Sequence, residues 1–209
     1  MALRTMLLAA SCALLAAVPA MADIDTEEFV RENANSVLES LNDPDLDAAE
    51  RRVAFQQYMD EFANIDAVAG FVIGKYSRRF TDAEMESYLA AFRTYALAVY
   101  EFYFNEYRGQ KVDVTGSTDR NPRDSIVDTE ILRGDGQTLE VRWRVLDRGN
   151  QYQVVDVALD ADGNLIWLAI EQQAQFLSIL DQNNGSADAL INKIQSMTTQ
   201  LQNGVQPTD

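Results

Sequence analysis

Asp156 sits in the run Val154-Val155-Asp156-Val157-Ala158. Apolar neighbours disfavour the charged form of a carboxylate, and such a group can act as a general base in an apolar pocket. The same setting suits a structural carboxylate bonded to backbone N–H groups or to an arginine. Arg78-Arg79 is the second place with chemical content. Two adjacent cations can hold a phosphate, or they can balance the negative C-terminal end of a helix.

The rest of the reactive repertoire is thin. The chain has no histidine, and Cys12 is its single cysteine. A Ser-His-Asp triad, a mature thiol nucleophile, an imidazole or thiolate metal site and a disulfide are all excluded. Cys12 lies in a segment with the marks of a secretory leader: Arg4, the apolar run Met6 to Val18, and the small-residue site Ala20-Met21-Ala22. We therefore expect a cleaved signal over residues 1–22, a single domain over 23–201 and a loose tail over 202–209. No later stretch is long and apolar enough to span a bilayer. The formal charge is −16. That acidity argues against nucleic acid, whose phosphates would repel it.

The elements that must position these groups follow from periodicity. Residues 24–41 carry Phe29, Val30, Ala34, Val37 and Leu38 at helical spacing. Asp43-Pro44 predicts a stop and restart, with a second helix to about Phe62. Asn64 or Asp66 opens a third, expected to run through Tyr76. Gly70 and Gly74, four apart on it, predict close packing or a ligand against bare backbone. Thr81 and Glu84 form a capping box for a fourth helix that is apolar nearly all round and reaches Tyr107. From Gly109 the period becomes two. Leu139, Val141, Trp143 and Val145 point one way, and Glu140, Arg142 and Arg144 the other, toward solvent. Gly134-Asp135-Gly136, Arg148-Gly149-Asn150 and Asp162-Gly163 are turn signals. Two helices close the chain, from about Ile170 and after Ser186. The reading is α+β: helices packed on one face of a curved antiparallel sheet of four to five strands.

Several segments carry a family likeness. Phe71-Val72-Ile73-Gly74-Lys75-Tyr76, then Phe92-Arg93-Thr94-Tyr95, then the strand text from Val141 to Val157, then Phe176-Leu177-Ser178-Ile179-Leu180 and Ala189-Leu190-Ile191 occur in order. In this the chain resembles the MlaC family of periplasmic phospholipid-binding proteins, also called toluene-tolerance proteins. The resemblance implies a periplasmic phospholipid carrier without catalytic residues or cofactor. It implies an inner-membrane lipid ABC transporter complex and an outer-membrane lipoprotein complex as partners. It also implies an apolar cavity between helices and sheet.

The expected lining is Phe71, Val72 and Tyr76 on the third helix and Phe92, Tyr95, Val99 and Tyr100 on the fourth. The sheet adds Val141, Trp143, Val145, Val155 and Val157. Arg78 and Arg79 are the expected head-group contacts. Two other readings stand beside this one: a carrier of a different lipid such as a hopanoid, and a small cone-shaped enzyme using Asp156.

Overall fold

The computed structural model describes residues 24–104, 111–132, 138–149, 151–161 and 163–205. The expected leader, Tyr107, the Gly134-Asp135-Gly136 turn, Asn150, Asp162 and residues 206–209 lie outside them. Among the described residues the order is α1 (Ile24–Asn42), α2 (Ala48–Phe62), α3 (Ile65–Val72), a 3₁₀ turn (Gly74–Arg78), α4 (Asp82–Phe104), β1 (Val112–Asn121), β2 (Asp124–Leu132), β3 (Thr138–Asp147), β4 (Tyr152–Ala161), β5 (Asn164–Trp167), α5 (Leu168–Gln182) and α6 (Ala187–Gln202). The strands form one antiparallel meander in the order β1-β2-β3-β4-β5. The expected α+β class, with helices on one face of a curved sheet, is the one observed.

Side-chain caps set most helix starts. Asp47 Oδ1 accepts from the N–H groups of Ala49 and Glu50 at 2.7 and 2.9 Å, and Glu50 Oε2 accepts from the Asp47 N–H at 2.8 Å. The second helix thus begins after Asp47 rather than at Pro44. Asp47 has a glutamate three residues on and Asp43 does not, so only Asp47 can close a capping box. Asp43 instead holds a turn, accepting from the Asp45 N–H at 2.9 Å. Asn64 caps α3, Thr81 and Glu84 cap α4, and Ser186 caps α6. The third helix stops at Val72, short of its expected end. Gly74 adopts φ +50, a left-handed value that breaks the α-helix and restarts the chain as 3₁₀. A Cβ at Gly74 would lie 3.5 Å from Leu177, so here the glycine does mark close packing. No described atom lies within 4 Å of the corresponding point at Gly70.

The sheet's inner face is apolar. Val127, Thr129 and Ile131 of β2 pair with Trp143, Val141 and Leu139 of β3, and Trp143 and Val141 pair with Val157 and Leu159 of β4. Helix α1 lies over β1 and β2, and α2, α3 and α5 approach β4. Helix α4 packs on α6 and touches α2 and α3. One core runs through both layers, and a satellite of Val37, Phe55 and Leu97 lies under α2.

The outer face carries charge. Arg142 and Arg144 are paired rather than simply solvated. Arg144 donates to both Asp124 oxygens at 3.0 and 2.9 Å, and Arg142 Nε lies 2.8 Å from Asp128 Oδ1. Register explains this: Asp128 faces Arg142 directly across β2 and β3, and Asp124 lies diagonally from Arg144, two residues from the Ile126 that faces it. At the sheet margin, Asn35 of α1 meets the backbone of Val112 with both ends of its amide. Its Nδ2 donates to the Val112 carbonyl at 3.1 Å, and its Oδ1 accepts from the Val112 N–H at 3.0 Å.

Candidate functional site

Most of the expected lining residues converge on the core between the sheet and the helices. Val72, Tyr76, Phe92, Tyr95, Val141, Trp143 and Val145 are buried in one core, with Val99, Tyr100 and Val157 half-buried against it. Phe71 departs from them and is 46% exposed. Val155 departs too. A bulge on β4 pairs Arg144 with Asp156 and Val145 with Val154, leaving Val155 without a partner in register. Val154 takes the buried place opposite Val145. A period-two reading cannot see an extra residue inserted in one strand.

Sequence reasoning passed over Phe62 and Phe176. Phe62, the last residue of α2, stands 5.5 Å from the Trp143 ring. Phe176 of α5 stands 6.2 Å from Phe92 and 6.3 Å from Tyr95. Its helical spacing with Leu180 marks it as an inward residue, but not as the hub of this aromatic group.

Polar atoms in this interior are matched locally. Trp143 Nε1 donates to Thr129 Oγ1 at 2.8 Å, and that hydroxyl donates to the Val141 carbonyl at 2.9 Å. Tyr88 Oη donates to the Ala69 carbonyl at 2.8 Å, and Tyr95 Oη donates to Gln172. Burial pushes the Tyr88 phenol well above its ordinary range. These bonds leave ring faces and branched side chains packed against one another in the interior. Such groups can hold hydrocarbon by shape and dispersion.

Tyr76 anchors the helical side. Its hydroxyl donates to Asp181 Oδ1 at 2.6 Å, and Lys75 Nζ lies 3.0 Å from the same oxygen. The bond to Asp181 raises the Tyr76 phenol, and the bonds from Tyr76 and Lys75 lower the Asp181 carboxyl. The Arg79 guanidinium lies 4.9 Å from the Tyr76 ring centroid. Arg78 is exposed on the 3₁₀ turn.

Asp156 is buried and serves as an anchor. Its Oδ1 accepts from the N–H groups of Val157 at 2.8 Å and Ala169 at 2.9 Å. Ala169 lies in the first turn of α5, where Trp167 at the cap position supplies no side-chain bond. A strand residue thus performs the capping that the helix's own sequence lacks. Burial raises its carboxyl, and the two N–H donors oppose the rise.

A separate cleft of about 500 Å³ opens beside α1 and α2, bordered by Ser36, Glu39, Asp43, Leu46, Tyr58 and Glu61 among others. None of the expected lining residues borders it, and its three carboxylates would repel a phosphate. Among the described residues no group of three or more histidine, cysteine or acidic side chains is placed to hold a metal. No described helix is long and apolar enough to cross a membrane.

The family profile described as MlaC protein matches residues 31–196. No curated protein matches the chain. Among solved structures, the phospholipid-binding protein from Ralstonia solanacearum, in complex with a phospholipid, is similar at 18% identity with a TM-score of 0.69. The match covers 84% of this chain and 98% of that one, and at this identity the likeness is one of fold.

Proposed function

This chain belongs to the MlaC family, and from that premise we propose that it is a soluble periplasmic carrier of phospholipid. It holds acyl chains between its helices and its sheet and passes them between the outer membrane and an inner-membrane ABC transporter. An outer-membrane lipoprotein complex stands at the other end of the route.

The physical need is large. A phospholipid with two long chains exposes about thirty methylenes, and at about 0.8 kcal/mol each its escape into water costs on the order of 20 kcal/mol. A carrier must replace that apolar environment, and it needs no acid, base or metal to do so. The observation that carries the reading is the convergence of Val72, Phe92, Tyr95, Val141, Trp143 and Val145 on one interior between the layers. A related fold holds a phospholipid in the Ralstonia solanacearum protein. In the proposal, half-buried Val99, Tyr100 and Val157 are the side chains that yield to lipid, with Phe71 and Val155 at the margin. Arg78 and Arg79 meet the phosphate. Asp156 fits a structural role, because its Oδ1 accepts from two backbone N–H groups.

The test is organic extraction of protein purified natively from the periplasm, followed by mass spectrometry. Co-purified phospholipid is the expected result. A hopanoid or other polycyclic lipid would replace the cargo, and a lipid-free extract would remove the carrier reading.

A further inference from the structure

We propose that the surface shared by α3, the 3₁₀ turn and the first half of α5 seats the protein on an anionic phospholipid bilayer. This goes beyond the cargo, and it shares Phe71, Arg78 and Arg79 with the proposed lipid contacts.

Charge distribution gives the first argument. The chain has 33 acidic and 17 basic residues, yet residues 67–81 contain Lys75, Arg78 and Arg79 and no carboxylate. Geometry gives the second. The Phe71 carbonyl accepts from Gln173 Nε2 at 2.7 Å, Gly74 faces Leu177, and Lys75 and Tyr76 reach Asp181. Helix α3 and its 3₁₀ extension therefore run alongside α5 in the same direction. Phe71 lies level with the turn from Ile170 to Ala174, and the cations follow toward Asp181.

Phe71 is 46% exposed and Ile170 is 53% exposed, with Ala174 exposed between them and Leu177. Large apolar side chains beside cations suit a bilayer interface, which takes the first into the acyl boundary and pairs the second with phosphate. Asp181 neutralises Lys75, so Arg78 and Arg79 supply the net attraction. Glu171, exposed next to Ile170, opposes them. Attachment is therefore weak and reversible, and it needs the apolar contact as well as the charge. The strongly acidic remainder is repelled by the same membrane, which orients the molecule with this edge down.

The test is flotation of the mature protein with phosphatidylcholine vesicles, with and without a third phosphatidylglycerol, at low and high salt. Binding is expected only to the anionic vesicles and only at low salt. Ile170→Asp and the double variant Arg78→Glu with Arg79→Glu should each lower the bound fraction about fivefold or more. Val53→Asp, at a residue 54% exposed on α2, should leave it unchanged. Thermal melts of each variant check that the fold is intact. Absence of flotation overturns the proposal, as does equal loss with Val53→Asp. Unchanged vesicle binding by the double arginine variant also overturns it. If vesicles fail while extracts contain phospholipid, this proposal falls and the carrier reading stands.

Discussion

Gly185 and Gly204 make a matched pair in which one glycine carries a contact and the other does not. Both follow a helix end with a positive φ, +79 and +74, and both return their N–H to a helix carbonyl, Leu180 at 2.7 Å and Leu201 at 2.9 Å. A Cβ at Gly204 would meet no described atom within 4 Å. A Cβ at Gly185 would lie 2.6 Å from Tyr76 Cε1 and 3.1 Å from Cδ1. Gly204→Ala should cost only left-handed strain, about 1–2 kcal/mol. Gly185→Ala adds overpacking against a buried ring, about 1–3 kcal/mol more, for a total of about 3 kcal/mol. At about 2–4 °C per kcal/mol for a domain of this size, the melting temperature should fall by about 4 °C for Gly204→Ala and about 10 °C for Gly185→Ala. Urea titrations followed by circular dichroism would give the same ranking through the midpoint, with an unchanged slope. Tyr76→Val in the Gly185→Ala background should recover part of the loss, a non-additivity expected only if the two residues collide. Equal destabilisation by the two glycine substitutions would refute the argument that Gly185 exists to admit the Tyr76 ring.

Asp156→Ala should destabilise by about 2–3 kcal/mol in urea, because it strands the Val157 and Ala169 N–H groups. Since burial raises the Asp156 carboxyl, the part of its contribution linked to protonation is present at low pH and is lost as pH rises through the raised value, while its two N–H bonds persist; Asp156→Asn should flatten that part of a stability–pH curve. Asp181 has the opposite sign. Its carboxyl is lowered, so its contribution is present at neutral pH and lost as pH falls below about 4, and Asp181→Asn should remove this acid-side decline in melting temperature. Thr129→Val leaves the Trp143 N–H unpaired in a buried site and should cost about 1–3 kcal/mol, read from the urea midpoint and a shifted tryptophan emission. Val99→Glu places a charge against the proposed lipid space and should cut co-purified phospholipid by about tenfold or more, measured per mole of folded protein.

The sequence made the local rules visible and hid the relations between distant elements. Thr81 with Glu84 and Ser186 announced their helices because a cap is written within four residues. The alternation at Leu139, Val141, Trp143 and Val145 announced β3 because one face is buried and the other is wet. Asp156 announced only that it needed a partner. That the partner is the first turn of α5 follows from β4, β5 and α5 folding back together. The β4 bulge at Val155 and the outer pairs of Arg142 and Arg144 are matters of register, which no single strand encodes. The stop at Gly74 was a hint rather than a reading, since a glycine inside a helical pattern is compatible with either continuation or a break. Phe176 had the right spacing for an inward residue, but its meeting with Phe92 and Tyr95 depends on how α5 lies across α4.

Asn35 has a consequence for life at high concentration. By imitating a neighbouring strand, its amide occupies the bonding positions at the start of β1, the place where another copy of the chain would otherwise add itself. The sheet margin is thereby denied an easy route to strand addition between copies. The safeguard costs one side chain, and it sits on a helix, so it acts only once α1 has docked.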